Sequence, residues 1–165
     1  MRLVFLLLPT LCIAVDILPL AFLGTFEYDH STGFPPFLDK QGVGFTAKQS
    51  FLAEKDTITF TDRDDLKFNY DHVFTNNKIH YEAVTFDEEF KGKAEFAWIG
   101  DNIDNNVTFF IDDGLLYAKN VPLQRDVNCA RYPTMTYRYS VKNERLSLEM
   151  QAENAVAYRF YKRKQ

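Results

Sequence analysis

Leu66, Phe68, Tyr70, His72 and Phe74 alternate without a break with Lys67, Asn69, Asp71 and Val73. In a strand, side chains two apart share a face, so this stretch predicts a strand with one face turned to the interior. The same period sets Ile58 and Phe60 against Thr59 and Thr61, and Ile79, Tyr81 and Ala83 against His80 and Glu82. Asp62-Arg63-Asp64-Asp65 and Asn76-Asn77 separate these runs as turns. Further strands are expected over 94–99, 107–111, 115–118, 134–140, 145–150 and 155–163. Residues 86–92 read as a charged connection, and 101–106, Asp112-Asp113-Gly114 and Lys142-Asn143-Glu144 as turns. Short strands with a turn every eight to twelve residues predict an antiparallel sandwich or barrel. No long helix separates them, which argues against a parallel α/β sheet.

One region breaks the pattern. After a strand at Phe22-Leu23-Gly24-Thr25-Phe26-Glu27-Tyr28, Ser31 or Thr32 can cap a helix whose first turn holds Pro35 and Pro36. Phe34, Phe37 and Leu38 fall at i, i+3 and i+4 and form one apolar stripe. Gly42-Val43-Gly44 ends this helix, and a second short one follows through Phe45, Ala47, Lys48 and Phe51.

At 165 residues the chain is expected to form one domain, and 46% hydrophobic content supplies a core. Net charge is −4 and basic residues are scattered, unlike the concentrated footprint of a nucleic-acid binder. Arg2, the apolar run Leu3-Val4-Phe5-Leu6-Leu7-Leu8 and the small residues up to Ala14 read as a signal peptide over 1–14, leaving a domain over 15–165. A membrane anchor is the competing reading, but Asp16, Pro9 and Pro19 interrupt the apolar run. Loss of Cys12 with the leader leaves Cys129 without an intrachain partner.

Candidate chemistry is sparse. The acidic runs near Asp101 and Asp112 lack the ligand and glycine placement of a calcium loop, and His30, His72 and His80 have no metal spacing. No nucleophile motif is present. The expectation is therefore no enzyme, no metal and no cofactor. Asn106-Val107-Thr108 is a candidate glycosylation sequon on an expected turn. In the strand 155–163, Ala157, Arg159 and Tyr161 share a face, and a cation beside a phenol there suits an anion. In 134–140, Thr134, Thr136, Arg138 and Ser140 share one face and Met135, Tyr137 and Tyr139 the other. Periodicity alone favours the aromatic face as core and Arg138 outside.

Phe22-Leu23-Gly24-Thr25-Phe26, the pair of helices around Gly42-Val43-Gly44-Phe45, and a run of hairpins ending in Arg159-Phe160-Tyr161 resemble the fatty-acid-binding protein family. The leader, Phe26 in place of a tryptophan, and the Tyr-Lys-Arg-Lys-Gln ending are similar to its secreted nematode branch. The resemblance implies an all-β fold: a ten-stranded antiparallel up-and-down β-barrel capped by a helix-turn-helix after the first strand. It implies a secreted, monomeric, non-enzymatic carrier whose cavity holds a fatty acid or related lipid carboxylate. Arg159, Tyr161 and Arg138 would grip the carboxylate, with Arg138 turned inward by one extra residue in the turn 141–144. Phe68, Tyr70, His72, Phe74, Leu148 and Met150 would line the cavity, with Leu146 and Thr136 beside them. Phe34, Phe37 and Leu38 would form a lid able to touch a membrane. Tyr137, Tyr139, Tyr158 and Phe160 would then face outward. That aromatic surface supports an alternative, an extracellular protein-interaction module for which lipid is incidental.

Overall fold

The structure is a computed structural model, described here over residues 16–75, 78–93, 104–123 and 133–165. The expected leader, Cys129, the turn at Asn76-Asn77 and the expected strand 94–99 lie outside these residues. Strand β1 (Gly24–Thr32) leads into helices α1 (Phe34–Lys40) and α2 (Phe45–Ala53). The strands β2 (Thr57–Asp62), β3 (Phe68–Val73), β4 (Lys78–Val84), β5 (Glu89–Lys93), β6 (Asp104–Asp112), β7 (Leu115–Pro122), β8 (Met135–Lys142), β9 (Arg145–Ala152) and β10 (Ala155–Arg163) follow. They form one antiparallel sheet in the order β4-β3-β2-β1-β10-β9-β8-β7-β6-β5. Its two ends, β4 and β5, lie side by side without a hydrogen-bonded ladder, so the sheet closes into a barrel with one seam.

The alternation read from sequence sets the inside of the barrel. Ile58 and Phe60 on β2, Phe68, Tyr70 and His72 on β3, and Leu146, Leu148 and Met150 on β9 are all buried. On β10, Ala155, Ala157, Arg159 and Tyr161 point inward in the same way. Phe60, Tyr70, Phe109 and Tyr139 bring rings from four strands together at centroid distances between 5.3 and 6.1 Å. Each buried aromatic of this kind contributes about 1.5–3 kcal/mol relative to leaving it in water.

Several local expectations are corrected. Leu66 sits in the turn before β3 with φ 62° and is 59% exposed, so only three of the five alternating positions are fully inward. Phe74 follows the end of β3 and is half-buried, its ring 4.2 Å from that of His72. Ala83 does not continue the inner face of β4. A register shift opposite Phe68 and Tyr70, with Ala83 at φ 53°, turns Val84 inward instead. Part of the charged connection is a strand, since Glu89 to Lys93 pair with Thr108 to Asp104. Asn106 lies on β6 rather than in a turn, and its side-chain amide donates to Glu89 Oε2 at 3.0 Å. The α1 cap is Gly33, because Ser31 and Thr32 still belong to β1.

The helices stop and start where the glycines allow. Gly42 takes φ 69°, and the Val43 N–H reaches back to the Leu38 carbonyl at 3.0 Å. This is the left-handed closure that satisfies the last carbonyls of a helix. Phe34, Phe37 and Leu38 are buried, and α1 packs over β10. Phe51 is the buried anchor of α2, while Phe45 at its start is 75% exposed.

Candidate functional site

Strand β8 decides which arginines belong to the interior. Its turn to β9 is two residues long, Asn143-Glu144, both at positive φ, and pairing runs without a shift from Lys142↔Arg145 to Met135↔Ala152. The extra residue needed to bring Arg138 inward is absent. Arg138 faces out, 43% exposed, and pairs with Glu149. The expected inward facing of Arg138 and Thr136 is thus corrected. Tyr137 and Tyr139 are buried instead of forming an outer aromatic face. Tyr139 stands opposite Leu148, which stands opposite Arg159, so it occupies the row that the second arginine would have taken.

Arg159 lies at the centre of a buried polar cluster. Its guanidinium donates through Nη1 to Asp56 and through Nη2 to the Phe51 carbonyl at 3.2 Å. The guanidinium carbon lies 4.6 Å from the Phe51 ring centroid, 5.3 Å from Phe34 and 5.2 Å from Tyr28. Both helices and β1 therefore stack aromatic faces around the cation. Its Nε is buried and, among the described residues, has no hydrogen-bond partner.

Asp56 is the residue that the sequence reading missed. It precedes β2 and remains in phase with Ile58 and Phe60, so its side chain enters the barrel. Its own carbonyl accepts from the Tyr28 N–H at 3.0 Å, which fixes it against β1. Extending the alternation of β2 back by one step would have found it. The Asp56 carboxylate accepts from Arg159, from His72 Nε2 and from the Tyr161 hydroxyl at 2.8 Å. Burial alone would raise its pKa. The His72 hydrogen bond, the charges of His72 and Arg159 and the Tyr161 hydroxyl outweigh this, and hold it below the ordinary aspartate value. Burial beside Asp56 pushes the Tyr161 phenol well above its usual value, so it stays a donor.

The network continues across the barrel. Tyr70 Oη lies 3.2 Å from His72 Nδ1 and 3.1 Å from Tyr139 Oη. One set of donors satisfies every link: Tyr139 to Tyr70, Tyr70 to His72 Nδ1, and His72 Nε2–H to Asp56. The site is thus a permanently charged cation, an ionised internal carboxylate and a chain of phenols, sealed beneath the helices.

No family model matches the chain. It is 32% identical over 149 residues to fatty acid-binding protein homolog 1 of Caenorhabditis elegans, covering 89% of this chain and 87% of that one. It is 30% identical over 164 residues to homolog 2 of the same organism, covering 96% of each. The chain belongs to the fatty acid-binding protein family. Its fold is that of As-p18, an extracellular fatty acid binding protein, with TM-score 0.78 at 21% identity over 90% of this chain and all of that one.

Proposed function

We propose that this fatty acid-binding protein family member is a secreted, monomeric, non-enzymatic carrier of long-chain fatty acids or related lipid carboxylates. The ligand is held inside the barrel with its head group at Arg159 and Tyr161. The observation that carries this reading is the Arg159 guanidinium: 2% exposed, beneath the lid, with a buried Nε–H that has no partner among the described residues. A buried donor left unpaired costs free energy, and an incoming oxygen removes that cost. Leu148, Met150, Phe68 and Tyr70 share the inner wall and offer apolar surface to the chain. Each methylene transferred there contributes about 0.8 kcal/mol. The names of the two relatives point to the same ligand class, and the leader read over 1–14 supports secretion. Transfer at a membrane through the helical lid fits the exposed ring of Phe45. The interaction-module alternative loses two of its four aromatics, because Tyr137 and Tyr139 are inside.

Titration of delipidated protein with a fluorescent fatty acid tests this. Saturable binding is expected, weakened about 10- to 100-fold in Tyr161→Phe combined with Arg159→Leu, in line with loss of charge-assisted hydrogen bonds. Arg138→Ala should bind within about twofold of the parent, since its partner Glu149 and its surroundings are outside the barrel. Absence of saturable binding, or no effect of the double substitution in a folded protein, would sink the proposal.

A further inference from the structure

We infer that this barrel holds a second polar seat, at Asn120, and that it selects lipid carboxylates bearing a hydroxyl far along the chain from the acid group. The inference rests on the carrier reading above and deepens it.

Asn120 is 3% exposed, and its Oδ1 is buried with no hydrogen-bond partner among the described residues. Such atoms are rare, because a buried polar group without a partner forfeits the hydrogen bonds it made in water. Alternation sets its direction. Leu116, Ala118 and Asn120 are the buried positions of β7, and Leu116 and Ala118 stand opposite the inward-facing Tyr139 and Tyr137. Asn120 therefore faces the inside of the barrel. Its register partners are Val107 on β6 and Met135 on β8, and Met135 stands opposite Ala152 on β9. All three are buried and apolar. Asn105 on β6 is buried as well and lies diagonally from Asn120 on the same face, since it stands opposite Pro122. An apolar side chain of the same shape at 120 would cost the fold nothing and would leave no acceptor unpaired. The amide makes sense as a site for a donor that arrives with a ligand.

This seat is remote from the head-group cluster. Arg159 stands opposite Leu148, Leu148 opposite Tyr139, and Tyr139 opposite Leu116. Asn120 lies beyond Leu116 on β7 by about 13 Å along the strand, and β7 is about three strand spacings of 4.8 Å from β10 around the wall. The guanidinium reaches the other way, to Asp56 ahead of β2 and to the Tyr28 ring on β1. The order β2-β1-β10-β9-β8-β7 then separates Asp56 from Asn120 by half the circumference of the ten-stranded barrel. A lipid acid seated at Arg159 must cross the barrel before any of its atoms meets Asn120. The unpaired atom is a carbonyl oxygen, which accepts and cannot donate. The chain must therefore bring a donor, and a hydroxyl is one that adds no charge. A plain methylene chain leaves Oδ1 unpaired. A hydroxyl far along the chain satisfies Oδ1 and itself at once.

The test is displacement of a fluorescent fatty acid from the delipidated full chain by stearic acids hydroxylated at the second carbon, at mid-chain and near the methyl end. The three isomers have one composition, so differences among them report where the hydroxyl lands. Each is measured on the parent and on Asn120→Leu, which has similar size and no acceptor. Relative to the second-carbon isomer, whose hydroxyl stays at the head-group wall, the mid-chain or the distal isomer should lose about 3- to 10-fold in affinity in the variant, the worth of one net hydrogen bond. Should Asn120→Leu not fold, Asn120→Ala is read in the same way. Affinity ratios among the isomers that are the same in parent and variant overturn the inference and leave the carrier reading standing; Asn120 then holds only water. Failure of stearic acid and of every isomer to bind the folded parent overturns both.

Discussion

Asp56 and Arg159 are mutually dependent because neither can be buried alone. Their contact joins residues 103 positions apart. Removing one partner of a buried ion pair typically costs about 3–5 kcal/mol, because the other is left charged and unpaired. Urea denaturation of Asp56→Ala should show a loss of that order. Asp56→Leu with Arg159→Met should lose far less than the sum of the two single changes. Additive losses would mean that the two groups do not act as a pair. The pH dependence has a definite sign. The folded-state pKa of Asp56 lies below its unfolded value of about 3.9, so its contribution is fully present above that value. It fades as pH falls through the lower, folded value. The melting-temperature advantage of the parent over Asp56→Asn should therefore be constant near neutrality and shrink below about pH 4. Of these residues, Arg159 and Tyr161 were legible from alternation in the last strand. Asp56 was not, because a carboxylate at a strand entrance looks like a turn residue until its phase with Ile58 and Phe60 is counted. The facing of Arg138 was legible from periodicity, and only the carried-over family pattern reversed it.

At the scale of elements, α1 depends on a glycine for two separate reasons. Gly33 takes φ 76° at the helix entrance, and a Cβ there would meet the Val156 carbonyl at 3.1 Å. Ala at this position suffers both the left-handed backbone penalty of about 1–2 kcal/mol and a clash with β10. Gly33→Ala should lower the unfolding free energy, read from urea denaturation, by a comparable amount. It should also loosen α1, seen as a larger rise in amide exchange there than in β9 relative to the parent; unchanged exchange would mean that α1 does not depend on this approach. The strands themselves were readable because turns punctuate them: Asp113-Gly114 and Asn143-Glu144 make the hairpins that the sequence predicted. What escaped was fine phase. The bulge opposite Phe68 and Tyr70 exchanges Ala83 for Val84, and no pattern of period two can announce a shift of one.

For the whole molecule, the hydrogen-bond order matters more than the count of strands. β10 lies between β1 and β9, paired on both edges, while β4 and β5 face each other without a ladder. Amide exchange should accordingly be slowest in β1, β9 and β10. It should be measurably faster on the facing edges of β4 and β5, where backbone groups lack strand partners. Equal protection at the seam and at β10 would contradict this picture. The overall barrel was legible from alternation, turn spacing and the early helix pair. The seam was not, because its position depends on which strands meet and not on what any one of them contains.

The ladder order also bears on biosynthesis. During translation the earlier part of a chain is available to fold first. Here Asp56 is made long before Arg159, and β1 awaits its second neighbour until β10 emerges. The buried polar cluster is therefore completed late: its cation, Arg159, and the Tyr161 phenol arrive with the strand that joins β1 to β9. Before then the nascent sheet carries Asp56 without its arginine partner and an open flank on β1. A folding helper that recognises this protein would meet it in that state.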